Sequence, residues 1–236
     1  MHVPDGFLDA PTSIATGVAA AAALGVALRK ARNELDDRTA PMAGLVATFV
    51  FSAQMVNFPV GLGTSGHLLG GALAAVLVGP WTGLLAVSVV LIVQALLLAD
   101  GGITALGTNI SLLAVAGVVV GWFTFRILQK LMPKRLGLVP VLAAVGALVS
   151  VPVAALVFVG LYAVGGTAPV PLDGLATAML GWHTLIGLGE AVITGLVVGS
   201  VIALRPDLVY GARAALRRRE LEIRSGHRTA EQEAAA

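Results

Sequence analysis

Seven apolar stretches run along the chain, at roughly 12–30, 40–57, 66–79, 81–98, 107–130, 137–163 and 177–204, separated by connections that hold most of the charge. A helix needs about 20 predominantly apolar residues to cross the hydrocarbon of a bilayer. Six stretches approach or exceed that length; the third is short and is cut sharply from the fourth at Gly79-Pro80. The pattern predicts an all-α integral membrane protein, a seven-helix bundle whose third helix is short or broken and borders a cavity.

Composition strengthens that reading. The 236 residues are 57% hydrophobic and only 12% charged, with a mean hydropathy of +0.92, a balance that a water-soluble domain of this size cannot bury. Glycine is abundant and aromatic residues scarce, as expected where helices pack backbone to backbone in lipid. No cysteine is present, so disulfides and thiolate metal sites are excluded.

The fifteen Lys and Arg residues fall on alternate connections. Arg29, Lys30, Arg32 and Arg38 follow the first stretch, Arg126, Lys130, Lys134 and Arg135 surround the fifth connection, and Arg205, Arg213, Arg217, Arg218, Arg219, Arg224 and Arg228 follow the last. The connections 58–66, 99–107 and 164–176 have none. By the positive-inside rule the N-terminus and His67 face outside and the C-terminus is cytoplasmic, which places the chain as a multi-pass protein of the cell inner membrane. Residues 1–204 are expected to form one transmembrane domain. Residues 205–236 read as a basic cytoplasmic tail, a helix at the inner surface followed by a frayed end. The first residues lack the positive start of a secretory signal and carry Pro4, Asp5 and Pro11, so the first stretch is expected to stay as a helix.

The candidate chemistry is at the start, Met1-His2-Val3-Pro4-Asp5-Gly6-Phe7-Leu8, together with His67 in a glycine-rich break. A methionine followed by a residue as large as histidine is generally retained, leaving its amine free. The Met1 amine, the His2 backbone nitrogen and the His2 ring close a five- and a six-membered ring around a cation, and His67 completes four nitrogens in a plane. That donor set suits Ni(II) or Cu(II). The bland alternative is a solvated terminal histidine and a histidine that merely starts a helix. Phe7 and Leu8 are suited to anchoring the segment, with Asp5-Gly6 as its turn. Asn57, Ser65, Gln94, Thr108 and Asn109 lie near the same depth, with Asn57 and Ser65 the first choices for fixing ligand rings and interhelical bonding the rival role for all five. His183 and Glu190, seven apart, share one face of the last helix; they read either as a functional polar pair or as helix-bridging groups. There is no Gly-x-x-x-x-Gly-Lys phosphate loop and no His-Glu-x-x-His motif. Gly117/Gly121 and Gly195/Gly199 signal close helices only.

Met1 to Leu8, Asn57-Phe58-Pro59-Val60, Gly63-Thr64-Ser65-Gly66-His67-Leu68-Leu69-Gly70-Gly71 and Gly79-Pro80-Trp81 closely resemble the CbiM/NikM family. The resemblance continues through Gln94-Ala95-Leu96-Leu97, Asp100-Gly101-Gly102, Leu106-Gly107-Thr108-Asn109 and the segment from His183 to Glu190, over roughly residues 1–204. It implies the substrate-binding membrane subunit of an energy-coupling-factor ABC transporter for nickel or cobalt, with the metal held by Met1, His2 and His67. No resident cofactor is implied: Ni(II) or Co(II) is the transported ligand. The implied partners are a transmembrane coupling subunit, two cytoplasmic ATPase subunits and a small accessory membrane subunit. The His67 loop is similar to that of nickel-type members. The competing readings are a membrane binding subunit for a non-metal substrate such as a vitamin, a secondary carrier, and a metal-dependent membrane enzyme using His183 and Glu190.

Overall fold

A computed structural model describes residues 1–36, 39–61, 64–218, 220 and 221. Seven α-helices build the bundle, α1 (Ala10–Lys30), α2 (Ala40–Gln54), α3 (Gly71–Val78), α4 (Pro80–Leu97), α5 (Leu106–Leu131), α6 (Val139–Gly165) and α7 (Leu172–Leu204), and a further helical segment begins at residue 213. Five of these, α1 and α4 to α7, are long and apolar enough to cross a membrane; α2 is shorter. Gly63, Arg38, Arg219, Arg224, Arg228 and the tail from residue 222 lie outside the described residues, while 213–218 are helical as expected for the start of the tail.

The third apolar stretch departs from the expectation of a helix over 66–79. Only Gly71–Val78 is helical, about 12 Å of rise, and all eight residues are buried, packed by α2, α4, α5, α6 and α7. Ahead of it the chain forms a two-stranded antiparallel hairpin, β1 (Phe58–Gly61) and β2 (Thr64–Gly66), with Phe58 opposite Gly66 and Pro59 opposite Ser65. The bundle is therefore not purely helical. The missing upper part of the third helix is filled by irregular chain, and residues 67–70 follow the hairpin without regular structure, Gly70 turning into the helix at φ +76°.

Small residues set the packing around α3. A Cβ on Gly71 would lie 2.7 Å from the carbonyl carbon of Gly117, and one on Gly121 would lie 2.5 Å from the Cβ of Ala72, so the Gly117/Gly121 spacing brings α5 against α3. In α6, Pro152 removes an amide and frees the Leu148 carbonyl; Gly187 of α7 crosses there, with space for a Cβ only 3.1 Å from that oxygen. The outer surface is apolar, with Ile14, Leu45, Phe123, Leu156 and Leu196 exposed, whereas Thr16, Gln54, Ser88, Thr108, Ser150 and Thr194 are buried within. That inversion fits a lipid-facing exterior.

The helices run alternately between two ends. At one, Asp9 caps α1, accepting from Thr12 N at 2.9 Å, and its own amide donates to Gly165 O at the end of α6. At the other, the buried Glu34 carboxylate accepts from Trp81 N and Thr82 N at the start of α4, Arg213 donates to Glu34 O, and Gln129 of α5 donates to Gly211 O. The described basic residues gather at this second end, opposite Met1.

Candidate metal centre

The first eight residues are tied into the bundle rather than solvated. Met1, His2 and Val3 are 1%, 6% and 1% exposed. Asn109 clamps Val3 on both sides, accepting from its amide at 2.7 Å and donating to its carbonyl at 3.1 Å, and Gly102 N donates to the same carbonyl. Asp5 accepts from the amide and hydroxyl of Thr104, Gly6 turns at φ +73°, and Phe7 stacks on Phe158 with its centroid 5.8 Å away. Leu8 then bridges to Gly166. The anchoring roles expected of Phe7, Leu8 and Asp5-Gly6 are all seen.

This insertion carries His2 to His67. The two rings stack with centroids 4.4 Å apart. His67 Nδ1 donates to Leu68 O at 2.7 Å and its Nε2 is buried without a partner, as is the Nε2 of His2. The loop that holds His67 is fixed by α7 and α2. Glu190 accepts from Leu69 N at 2.7 Å and from Gly70 N at 2.9 Å, and Gln54 donates to Leu69 O at 2.8 Å. A non-helical segment at this depth needs such side-chain partners for its backbone.

His2 Nδ1 donates to Asp100 at 2.8 Å. Asp100 follows Ala99, which adopts φ +52°, and also takes a hydrogen bond from Asn57. The bond from His2 holds the Asp100 carboxyl below its ordinary range. Burial lowers the His2 ring against the opposing pull of Asp100, and burial drives the Met1 amine down to about 4. The amine is therefore neutral at pH 7, with its lone pair free to bind a cation.

In this arrangement Nδ1 of His2 belongs to Asp100, so the six-membered ring of the expected chelate is not formed. A half-turn about Cβ–Cγ exchanges Nδ1 with Cδ2 and Nε2 with Cε1, releasing Nδ1 and turning the Nε2 side of the ring toward Asp100. Among the described residues no three His or acidic side chains converge on one point. A site here draws on main-chain and terminal nitrogens.

The remaining candidates separate clearly. Asn57 and Ser65 line an open cavity of about 430 Å3 beside His2, Asp100 and Gly101. Asn109 grips the Val3 backbone, Thr108 bonds Thr16 at 2.7 Å, and the Gln94 amide is fully buried without a side-chain partner. His183 and Glu190 are not a pair: His183 Nδ1 donates to Met179 O while Glu190 holds the His67 loop. His183 Nε2 is buried without a partner, within electrostatic reach of the Met1 amine. Asp100 was absent from the expected set, although a carboxylate at the outer end of an apolar stretch is a natural partner for a ligand histidine.

The family model described as the cobalt uptake substrate-specific transmembrane region, CbiM, matches residues 2–208. A putative metal transport protein of Haloquadratum walsbyi is 38% identical over 89% of this chain and 94% of its own. The fused nickel transport protein NikMN of Rhodobacter capsulatus is 34% identical over 91% of this chain and 65% of its own, and the cobalt transport protein CbiM of Sorangium cellulosum is 33% identical over 79% and 84%. A crystal structure of a truncated transition metal transporter superposes with a TM-score of 0.79 at 32% identity, covering 86% of this chain and 99% of that one.

Proposed function

The chain belongs to the CbiM family of cobalt-uptake substrate-specific transmembrane proteins, a family of transport subunits rather than enzymes, and we propose that it binds Ni(II) ahead of Co(II) for an ATP-driven importer. The observation that carries the proposal is the buried meeting of the Met1 amine with His2 and His67, where the His67 Nε2 has no hydrogen-bond partner. The amine, the deprotonated His2 amide, the His2 ring and the His67 ring supply four nitrogens, a set that suits planar Ni(II).

The metal enters from outside through the cavity lined by Asn57, Ser65 and Asp100. It displaces a proton from the His2 amide, and the His2 ring turns to present Nδ1. Asp100 then accepts from the other ring nitrogen and keeps the ring oriented. His67 completes the plane from a loop that Glu190 and Gln54 hold rigid. The chain carries no nucleotide cradle, so a transmembrane coupling subunit, two ATPases and a small accessory membrane subunit supply the energy at the inner membrane.

The experiment is titration of the purified, C-terminally tagged protein with Ni(II) and Co(II), comparing the native start with a variant carrying one alanine before Met1. One-to-one binding that is lost on insertion, with nickel the tighter, is expected. Equal binding by both proteins refutes the terminal site.

A further inference from the structure

At the basic end of the bundle a cavity of about 660 Å3 opens between the end of α1, the start of α4, α5 and the helix that begins at residue 213. Lys30, Arg126, Arg213 and Arg217 line it, against the single carboxylate of Glu34. That carboxylate is committed to Trp81 N and Thr82 N, and among the described residues none of the four cations forms an ion pair. Three of them are nevertheless held in place. Lys30 Nζ lies 4.7 Å from the Trp81 ring centroid, Arg126 5.6 Å from Trp122 and Arg213 4.5 Å from Tyr210. Arg126 also donates to Gln129 and Arg213 to Glu34 O, which leaves most of the five N–H donors of each guanidinium unused.

Four lining cations, three of them positioned against aromatic rings, and one spoken-for carboxylate at a helix-bundle end are the chemistry that recognises a phosphate ester. Aromatic rings at that level belong to the interfacial belt, where headgroups lie. We propose that this cavity binds a phosphate-bearing anion, and that its occupant is the headgroup of an anionic phospholipid of the inner leaflet. The acyl chains extend along the apolar outer faces of α1 and α5, where Leu28 and Phe123 are exposed.

The test uses the full chain with Trp182→Phe, which leaves Trp81 and Trp122, both at the cavity, as the only tryptophans. The delipidated protein in neutral detergent is titrated with dioleoylphosphatidylglycerol, with dioleoylphosphatidylcholine, and with inorganic phosphate or ATP, reading tryptophan fluorescence. The expected result is a saturable change with phosphatidylglycerol, at least tenfold weaker with phosphatidylcholine and absent with the soluble anions. Arg126→Gln with Arg213→Gln should weaken it at least tenfold, and Lys30→Gln alone several-fold, should the double variant not fold. Lys134→Gln with Arg135→Gln, which lie outside this cavity, should leave it unchanged. Saturation by phosphate or ATP in place of the lipid assigns the site to a soluble anion and overturns the lipid occupant. Equal response to both lipids, or indifference to the arginine and Lys30 changes, overturns the site itself.

Discussion

Replacing Asn109 by alanine should unseat the N-terminal segment. Asn109 is 2% exposed and makes two bonds to Val3. Without them the Val3 amide loses the one hydrogen bond it makes among the described residues, a loss of about 2 kcal/mol for an unpaired buried donor. The Val3 carbonyl keeps Gly102 N at 2.9 Å and loses only its second donor, about 1 kcal/mol. The sum, about 3 kcal/mol, raises the undocked population roughly 100-fold, since each 1.4 kcal/mol is a factor of ten. The Met1 amine is buried when docked and open to reagent when undocked, so its acylation reports that population directly. With metal withheld, the labelling rate of Met1, resolved from the lysines by peptide mass spectrometry, should rise about 100-fold. A change below threefold in a normally folded Asn109→Ala protein would refute the clamp.

The same equilibrium should depend on pH. The amine titrates near 8 when undocked and about 4 when docked, so the undocked state binds the extra proton and docking strengthens as pH rises. Protection of the Val3 amide from hydrogen exchange, corrected for intrinsic rates, should be full above pH 8 and fall by up to about tenfold per unit toward pH 4; pH-independent protection would contradict the buried neutral amine. Gly121→Ala should lower the thermal midpoint in detergent, because the new Cβ meets Ala72 of α3 and overpacking costs about 1–3 kcal/mol. Gly160→Ala, where no neighbour lies within 4 Å, should leave the midpoint unchanged or slightly higher; equal losses in both would sink the close-approach argument.

The long spans were legible because lipid demands long apolar stretches, and a short third stretch before Gly79-Pro80 announced a helix that does not cross. What replaces the missing turns was not. The pairing of Phe58–Gly61 with Thr64–Gly66 and the support of the loop by Gln54 and Glu190 are tertiary facts with no local period. Met1 and His2 could be grouped because chelation has fixed ring sizes, His67 joined them because the charge pattern puts it at the same face, and the structure brings the three together. The supporting residues were ranked less well. Asn57 and Ser65 line the cavity beside His2, whereas Asn109 holds the N-terminal segment through Val3. Asp100 grips His2 through a turn at Ala99 that leaves little trace in sequence. His183 and Glu190 share a helix face yet serve different neighbours, since seven residues of rise, about 10 Å, separate them.

X-ray absorption with magnetic measurement on the Ni(II)-loaded full chain decides whether a four-nitrogen site is built on the terminal amine. Diamagnetic, planar Ni(II) with four nitrogen neighbours is expected, converted to another coordination or lost when one alanine precedes Met1. Paramagnetic six-coordinate Ni(II) with oxygen ligands, or a spectrum unchanged by that alanine, would contradict it.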